Sequence, residues 1–202
     1  MTINLEKGQK ISLEKVAPGL KRVRLGLGWN AQAYDNAPAF DLDASAFGLK
    51  KVGEKPVLVN DKFFIYYDNK LSPDGAISHS GDNRTGDGEG DDETIIVDLA
   101  KVDAQVDEIS FIVTIYHALQ NSQNFGQVTN SVIHVYDADD ANPAAKPLAE
   151  YRLEDDFSTE TAVQFGSLYR RANGWYFGAV GAGYKKGLAD FVNLYGGDAT
   201  GG

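Results

Sequence analysis

The chain contains no cysteine. That absence excludes disulfides, thiolate metal sites and cysteine nucleophiles together, and it suits a reducing compartment. Histidine is scarce: His79, His117 and His134 show no metal-ligand spacing, and no HExxH pattern occurs. His117 and His134 fall in expected strands, where a packed or partner-bonded role is favoured over catalysis; for His79, beside an acidic loop, the choice is between solvation and orienting a ligand. Positive charge is also short, with 19 Lys and Arg against 29 Asp and Glu, a formal net charge of −10. An electrostatic nucleic-acid binder presents a basic face, so that partner class is set aside. No long apolar run exists, and the first residues, MTINLEKGQKISLEK, alternate charge with single apolar side chains. They form neither a secretory signal nor a transmembrane segment, so a cytoplasmic protein is expected. There is no G-x-S-x-G elbow, no Ser/His/Asp grouping, no internal repeat and no dividing linker. The expectation is a non-enzymatic single domain over residues 1–202, with residues 197–202 as a frayed tail.

What is present is 43% hydrophobic residues and many short β-prone runs separated by turn signals. KISL (10–13) suits a short strand. RVRLGLGW (22–29) puts Val23, Leu25, Leu27 and Trp29 on one face and Arg22, Arg24, Gly26 and Gly28 on the other. Glycines on that outer face imply a close neighbour. KFFIYYD (62–68) is apolar enough for a strand covered on both faces. TIIVDL (94–99) leaves the acidic loop, EISFIVTIYH (108–117) is the best central strand, and SVIHVYD (131–137) and residues 148–153 add two more. Residues 137–147 suit a surface loop. Residues 161–181 suit a hairpin around Asn173-Gly174, and Leu188, Phe191, Val192 and Tyr195 follow Tyr184 at helical spacing, with Gly196-Gly197 as a stop. This pattern predicts an all-β fold: a two-sheet β-sandwich with acidic ion-binding loops at one end and a short C-terminal helix.

The chemistry concentrates in GDNRTGDGEGDDE, residues 81–93. Six acids, Asp82, Asp87, Glu89, Asp91, Asp92 and Glu93, share it with the single base Arg84 and four glycines. Carboxylates about 4 Å apart repel by roughly 4 kcal/mol at a surface dielectric. Glycines let backbone carbonyls turn inward beside them. An all-oxygen cage of this kind suits Ca²⁺. The competing reading is a solvated acidic loop, and the interleaved glycines favour the ion. Asp41 and Asp43 in FDLDASAF are two apart and share a strand face, either as a solvated polar face or as a second contributor beside Asp68 and the loop. An EF-hand does not fit, because its sixth position falls on Asp92 and no amphipathic helices flank the loop. A metal-dependent hydrolase lacks a positioned base.

The chain resembles the TerD domain family of bacterial tellurite-resistance and general stress proteins. The resemblance is carried by GLGW (26–29), FDLDASAF (40–47), SPDG with HSGDNRTGDGEGDDE (72–93), VDEISFIVTI (106–115), NFGQV (124–128), DFSTETAVQFGSLYRR (156–171) and AVGAGYKKGLADF (179–191). It implies a β-sandwich that binds two calcium ions in clustered acidic loops and acts in tolerance to tellurite and other stresses. It also implies ligands at Asp41, Asp43, Asp68, Asp82, Asn83, Asp91, Asp92 and Glu93, extended to Asp87, Glu89 and the carbonyls of Thr85 and Gly86. Where many members carry Asn-Asn, this chain has Asp68-Asn69. Expected partners are the calcium ions and other stress-resistance proteins at the membrane, with the protein peripheral to the inner membrane. A related reading is a calcium-dependent module recruiting protein partners or an anionic membrane surface.

Overall fold

Alternation at Val23, Leu25 and Leu27 turns three apolar side chains to one side of a strand, and all three are buried. The computed structural model describes residues 2–30, 38–84, 90–140, 142, 145–153 and 157–198. In chain order it begins with β1 (Ile3–Asn4), β2 (Lys10–Ser12), α1 (Leu13–Val16), β3 (Arg22–Gly28), β4 (Leu42–Val52), β5 (Lys55–Leu58), β6 (Phe64–Ile65) and β7 (Ile77–His79). There follow β8 (Glu93–Asp98), β9 (Glu108–Ile115), α2 (Ala118–Asn121), β10 (Val132–Asp137), β11 (Ala149–Arg152), β12 (Ala162–Arg171), β13 (Gly174–Tyr184) and α3 (Leu188–Leu194).

Two sheets pack face to face. The first runs β1-β11-β10-β3-β8-β7, and the second β2-β13-β12-β9-β4-β5, with β6 on β4. In the first, Leu25 lies opposite Ile95 on one side and Val135 on the other, an apolar row across three strands. In the second, β9 is central between β4 and β12, and Ile109, Phe111, Ile112 and Val113 are fully buried. Such consecutive burial needs cover on both faces. One cover is the facing sheet. The other comes from α3 and the chain around β6: Phe47 stacks on Phe64 at 4.7 Å and meets Tyr195 at 5.2 Å. Each fully buried Phe or Leu contributes about 1.5–3 kcal/mol.

Three expectations shift. Residues 62–68 do not form one covered strand: a 3₁₀ turn at Asp61–Phe63 precedes the two-residue β6. The Asn60 side chain accepts from the Lys62 amide at 3.0 Å and starts that turn. The Asn69 amide then donates to the Phe64 carbonyl at 2.6 Å and bends the chain back. The β12–β13 connection is centred one residue early, at Ala172-Asn173, with Gly174 already paired to Arg171. The terminal helix begins at Leu188 because Tyr184 is still paired with Ala162 in the sheet. Among the described residues, no helix is long and apolar enough to cross a membrane.

Candidate metal centre

The acidic end of the sandwich is assembled from both sheets. Asp41 precedes β4 and is held by its carbonyl, which accepts from the Tyr116 amide at 2.8 Å. Asp43 lies within β4 opposite Thr114. Strand alternation puts Asp43 on the same face as Ser45 and Phe47, the face covered by α3 and β6. Asp82 arrives from the other sheet, on the segment that leaves β7. One oxygen from each of Asp41, Asp43 and Asp82 lies within 4.8 Å of the others. A Ca²⁺ ion holds its oxygens at about 2.3–2.6 Å, so ligands on opposite sides stand about 4.6–5.2 Å apart. The three carboxylates therefore fit around one ion.

Their environment supplies little else to hold negative charge. Asp43 is 4% exposed, and among the described residues no hydrogen-bond donor reaches its carboxylate. Asp41 Oδ1 is buried with no hydrogen-bond partner among the described residues. Burial, then Glu93, Asp41 and Asp82 nearby, push the Asp43 carboxyl from its usual 3.8 up to about 8, with Arg84 opposing. Burial, then Asp82 and Glu93, push Asp41 up to about 6, opposed by Arg84 and His117. Asp82 is the exposed member, and its Oδ2 accepts from Arg84 Nε at 2.8 Å.

Glu93 is turned inward rather than toward solvent. It is 1% exposed; its Oε2 accepts from the Ala44 amide at 2.8 Å and its Oε1 from the Asn83 amide at 3.3 Å. β8 and β4 belong to different sheets, so this carboxylate ties the layers together. His79 adds a second tie. Gly81 N–H donates to Nδ1 at 2.9 Å, and Nε2 lies 3.0 Å from the Ala44 carbonyl. A carbonyl only accepts, so Nε2 carries the proton and Nδ1 does not. Both ring nitrogens are thus engaged in fastening the start of the acidic segment to β4. Buried and bonded, His79 is not solvated, and only the tertiary packing reveals this.

The remaining sequence candidates spread out. Asp92 joins the return leg to β3: its amide donates to the Leu27 carbonyl at 2.8 Å, its Oδ2 accepts from the Trp29 amide at 3.0 Å, and its Oδ1 accepts from Asn83 Nδ2 at 3.1 Å. Asp91 points to the outer face of the first sheet, where it meets Arg24 and His134. Asp68 is exposed beside Tyr66 and Tyr67 and is not among the three carboxylates grouped within 4.8 Å. Asp87, Glu89, Thr85 and Gly86 lie outside the described residues. His117 is not in a strand: β9 stops at Ile115, and His117 sits exposed in a left-handed conformation before α2, with Nδ1 3.1 Å from Gln120 Oε1.

Against known proteins, residues 1–195 match the model of the TerD domain. The chain belongs to the TerD family. Over 196 residues it is 47% identical to general stress protein 16U of Bacillus subtilis (strain 168), covering 97% of this chain and 98% of that one. Over 200 residues it is 46% identical to the tellurium resistance protein TerD of Serratia marcescens, covering 99% and 100%. Among solved structures, a homologue of telluride resistance protein (TerD) from Streptomyces coelicolor A3(2) superposes with a TM-score of 0.67 at 26% identity, covering 86% of this chain and 95% of that one. TerD membership makes this a protein of a tellurite-resistance and stress-response family.

Proposed function

We propose that this TerD protein is a calcium-binding stress-response protein in which Ca²⁺ orders the acidic end of the sandwich. The observation that carries the reading is Asp43, a buried carboxylate with no donor among the described residues, grouped with Asp41 and Asp82. A buried, unpaired carboxylate is costly, and a cation is the direct remedy. The donor set is all oxygen, which selects a hard ion over the softer metals. Asp41, Asp43 and Asp82 would hold the ion, while Glu93 and His79 keep the two sheets in register behind them. Bound calcium would supply charge neutralisation rather than a reaction. Tolerance to tellurite is the role suggested by the relatives' names, with the calcium-ordered end as the part that acts.

The test is thermal unfolding of the whole chain in chelator, in millimolar Ca²⁺ and in millimolar Mg²⁺. An ion that binds only the folded form at a hundredfold excess over Kd stabilises it by about 2.7 kcal/mol. At this length, that corresponds to a rise of roughly 5–11 °C in calcium. The rise with Mg²⁺ should be much smaller, since that ion demands a near-octahedral shell and dehydrates reluctantly. Superimposable curves in chelator and calcium would sink the reading.

A further inference from the structure

Asp91 belongs to the acidic run by sequence but to a different assembly in space. Its carboxylate is 4% exposed and lies on the outer face of the first sheet. Arg24 donates to Oδ2 at 2.9 Å, and His134 Nδ1 lies 2.7 Å from Oδ1. Register explains the meeting: β3 pairs with β10 so that Gly26 faces His134 and Arg24 faces Tyr136. The Arg24 guanidinium lies 3.9 Å over the Tyr136 ring, which holds it in place. Gly26 completes the arrangement by having no side chain. A β-carbon there would overlap the Asp91 carboxylate, and the three nearest atoms all belong to Asp91.

We propose that Asp91 is a positioning residue, a latch closed by Arg24 and His134 over Gly26, which sets the calcium affinity of the neighbouring centre without touching the ion. Its influence has a continuous route. Arg24 and His134 fix Asp91, the residue before Asp92; Asp92 accepts from the Asn83 side chain, and Asn83 adjoins Asp82 of the carboxylate group. The paired Arg24 also offsets the Asp91 charge, so this acid adds little to the repulsion at the centre. The inference rests on the calcium reading and extends it to residues that are not ligands.

The test is calcium titration calorimetry on the full chain, comparing wild type with Arg24→Gln, Gly26→Ala, Asp91→Ala and the Gly26→Ala/Asp91→Ala double variant. Circular dichroism and melting in chelator accompany each titration. Loss of an outer positioning partner characteristically weakens metal affinity by roughly 10- to 100-fold, and that rise in Kd is expected for Arg24→Gln and Gly26→Ala with native spectra. The double variant should match Asp91→Ala alone, because both changes open the same latch. Sign separates the latch from a ligand role: a ligand freed from Arg24 would bind calcium more tightly. An unchanged or lowered Kd in Arg24→Gln therefore overturns the proposal. If Arg24→Gln does not fold, Gly26→Ala, whose three nearest obstructing atoms all belong to the Asp91 carboxylate, decides by the same criterion. A wild type that binds no calcium overturns the calcium reading and the latch together, whereas a binding wild type with unaffected variants overturns the latch alone.

Discussion

Replacing Asp43 with Asn should raise the stability of the calcium-free protein while removing its response to calcium. Carboxylate oxygens approach within 4.8 Å at this centre, where two unit charges repel by about 3–4 kcal/mol at an effective dielectric near 20. In the folded chain Asp43 keeps its proton up to about 8, chiefly through burial and then through its acidic neighbours, against 3.8 ordinarily. Below pH 3.8 the group costs the fold nothing by ionisation. As pH rises, the unfolded chain ionises first, and stability is lost progressively until the folded carboxyl also gives up its proton near pH 8. At about 1.4 kcal/mol per pH unit, the loss accumulated by pH 7 approaches about 4 kcal/mol as an upper figure. Asn carries no charge and escapes that loss, while its amide in a donor-poor setting costs about 1–3 kcal/mol. The net gain is about 1–3 kcal/mol, or a melting point roughly 2–12 °C above wild type. Calorimetric scans in chelator at pH 7 should show that gain, scans near pH 4 should put the variant at or below wild type because only the amide's cost remains, and scans in millimolar calcium should also place it below wild type. A variant that melts below wild type in chelator at pH 7 would refute the reasoning, because Asp43 would then be making a favourable native contact.

Calcium affinity should rise with pH, since Asp41 and Asp43 must release protons, with folded values near about 6 and about 8, before an ion can enter. Titrations between pH 6 and 8 should tighten by up to about tenfold per unit and level off above that range, and a flat profile would contradict it. Changing His79 to Ala strands the Ala44 carbonyl and the Gly81 amide and leaves a cavity. It should cost about 2–4 kcal/mol in urea unfolding without calcium, and a loss below about 0.5 kcal/mol would show that His79 does not fasten the two segments.

Much of the sandwich was legible from side-chain alternation. Val23, Leu25 and Leu27 turn inward as their period predicts, and the β-branched, apolar run of β9 marks the central strand it forms between β4 and β12. The glycines opposite them signalled a close neighbour, and Asp91 lies over Gly26. Proximity of the Asp41-Asp43 pair to the acidic loop followed from placing acids at strand ends, and Asp82 meets both. KFFIYYD misled because only Phe64 and Ile65 of the run pair with β4, and two asparagines outside the apolar run set the turns on either side. Asp91 could not be separated from its neighbours in sequence: its partners Arg24 and His134 come together only through the pairing of β3 with β10, and local composition carries no trace of that register.

Glu93 fastens the two layers at the acidic end of the sandwich. A shielded carboxylate reaching from β8 in one layer to the Ala44 amide in the other is a rivet, and it lies at the end of the sandwich that carries the three grouped carboxylates. Parting the layers there means stripping a buried acid of its donors. A proton or an ion that changes the charge at this end therefore acts beside a contact that both layers share.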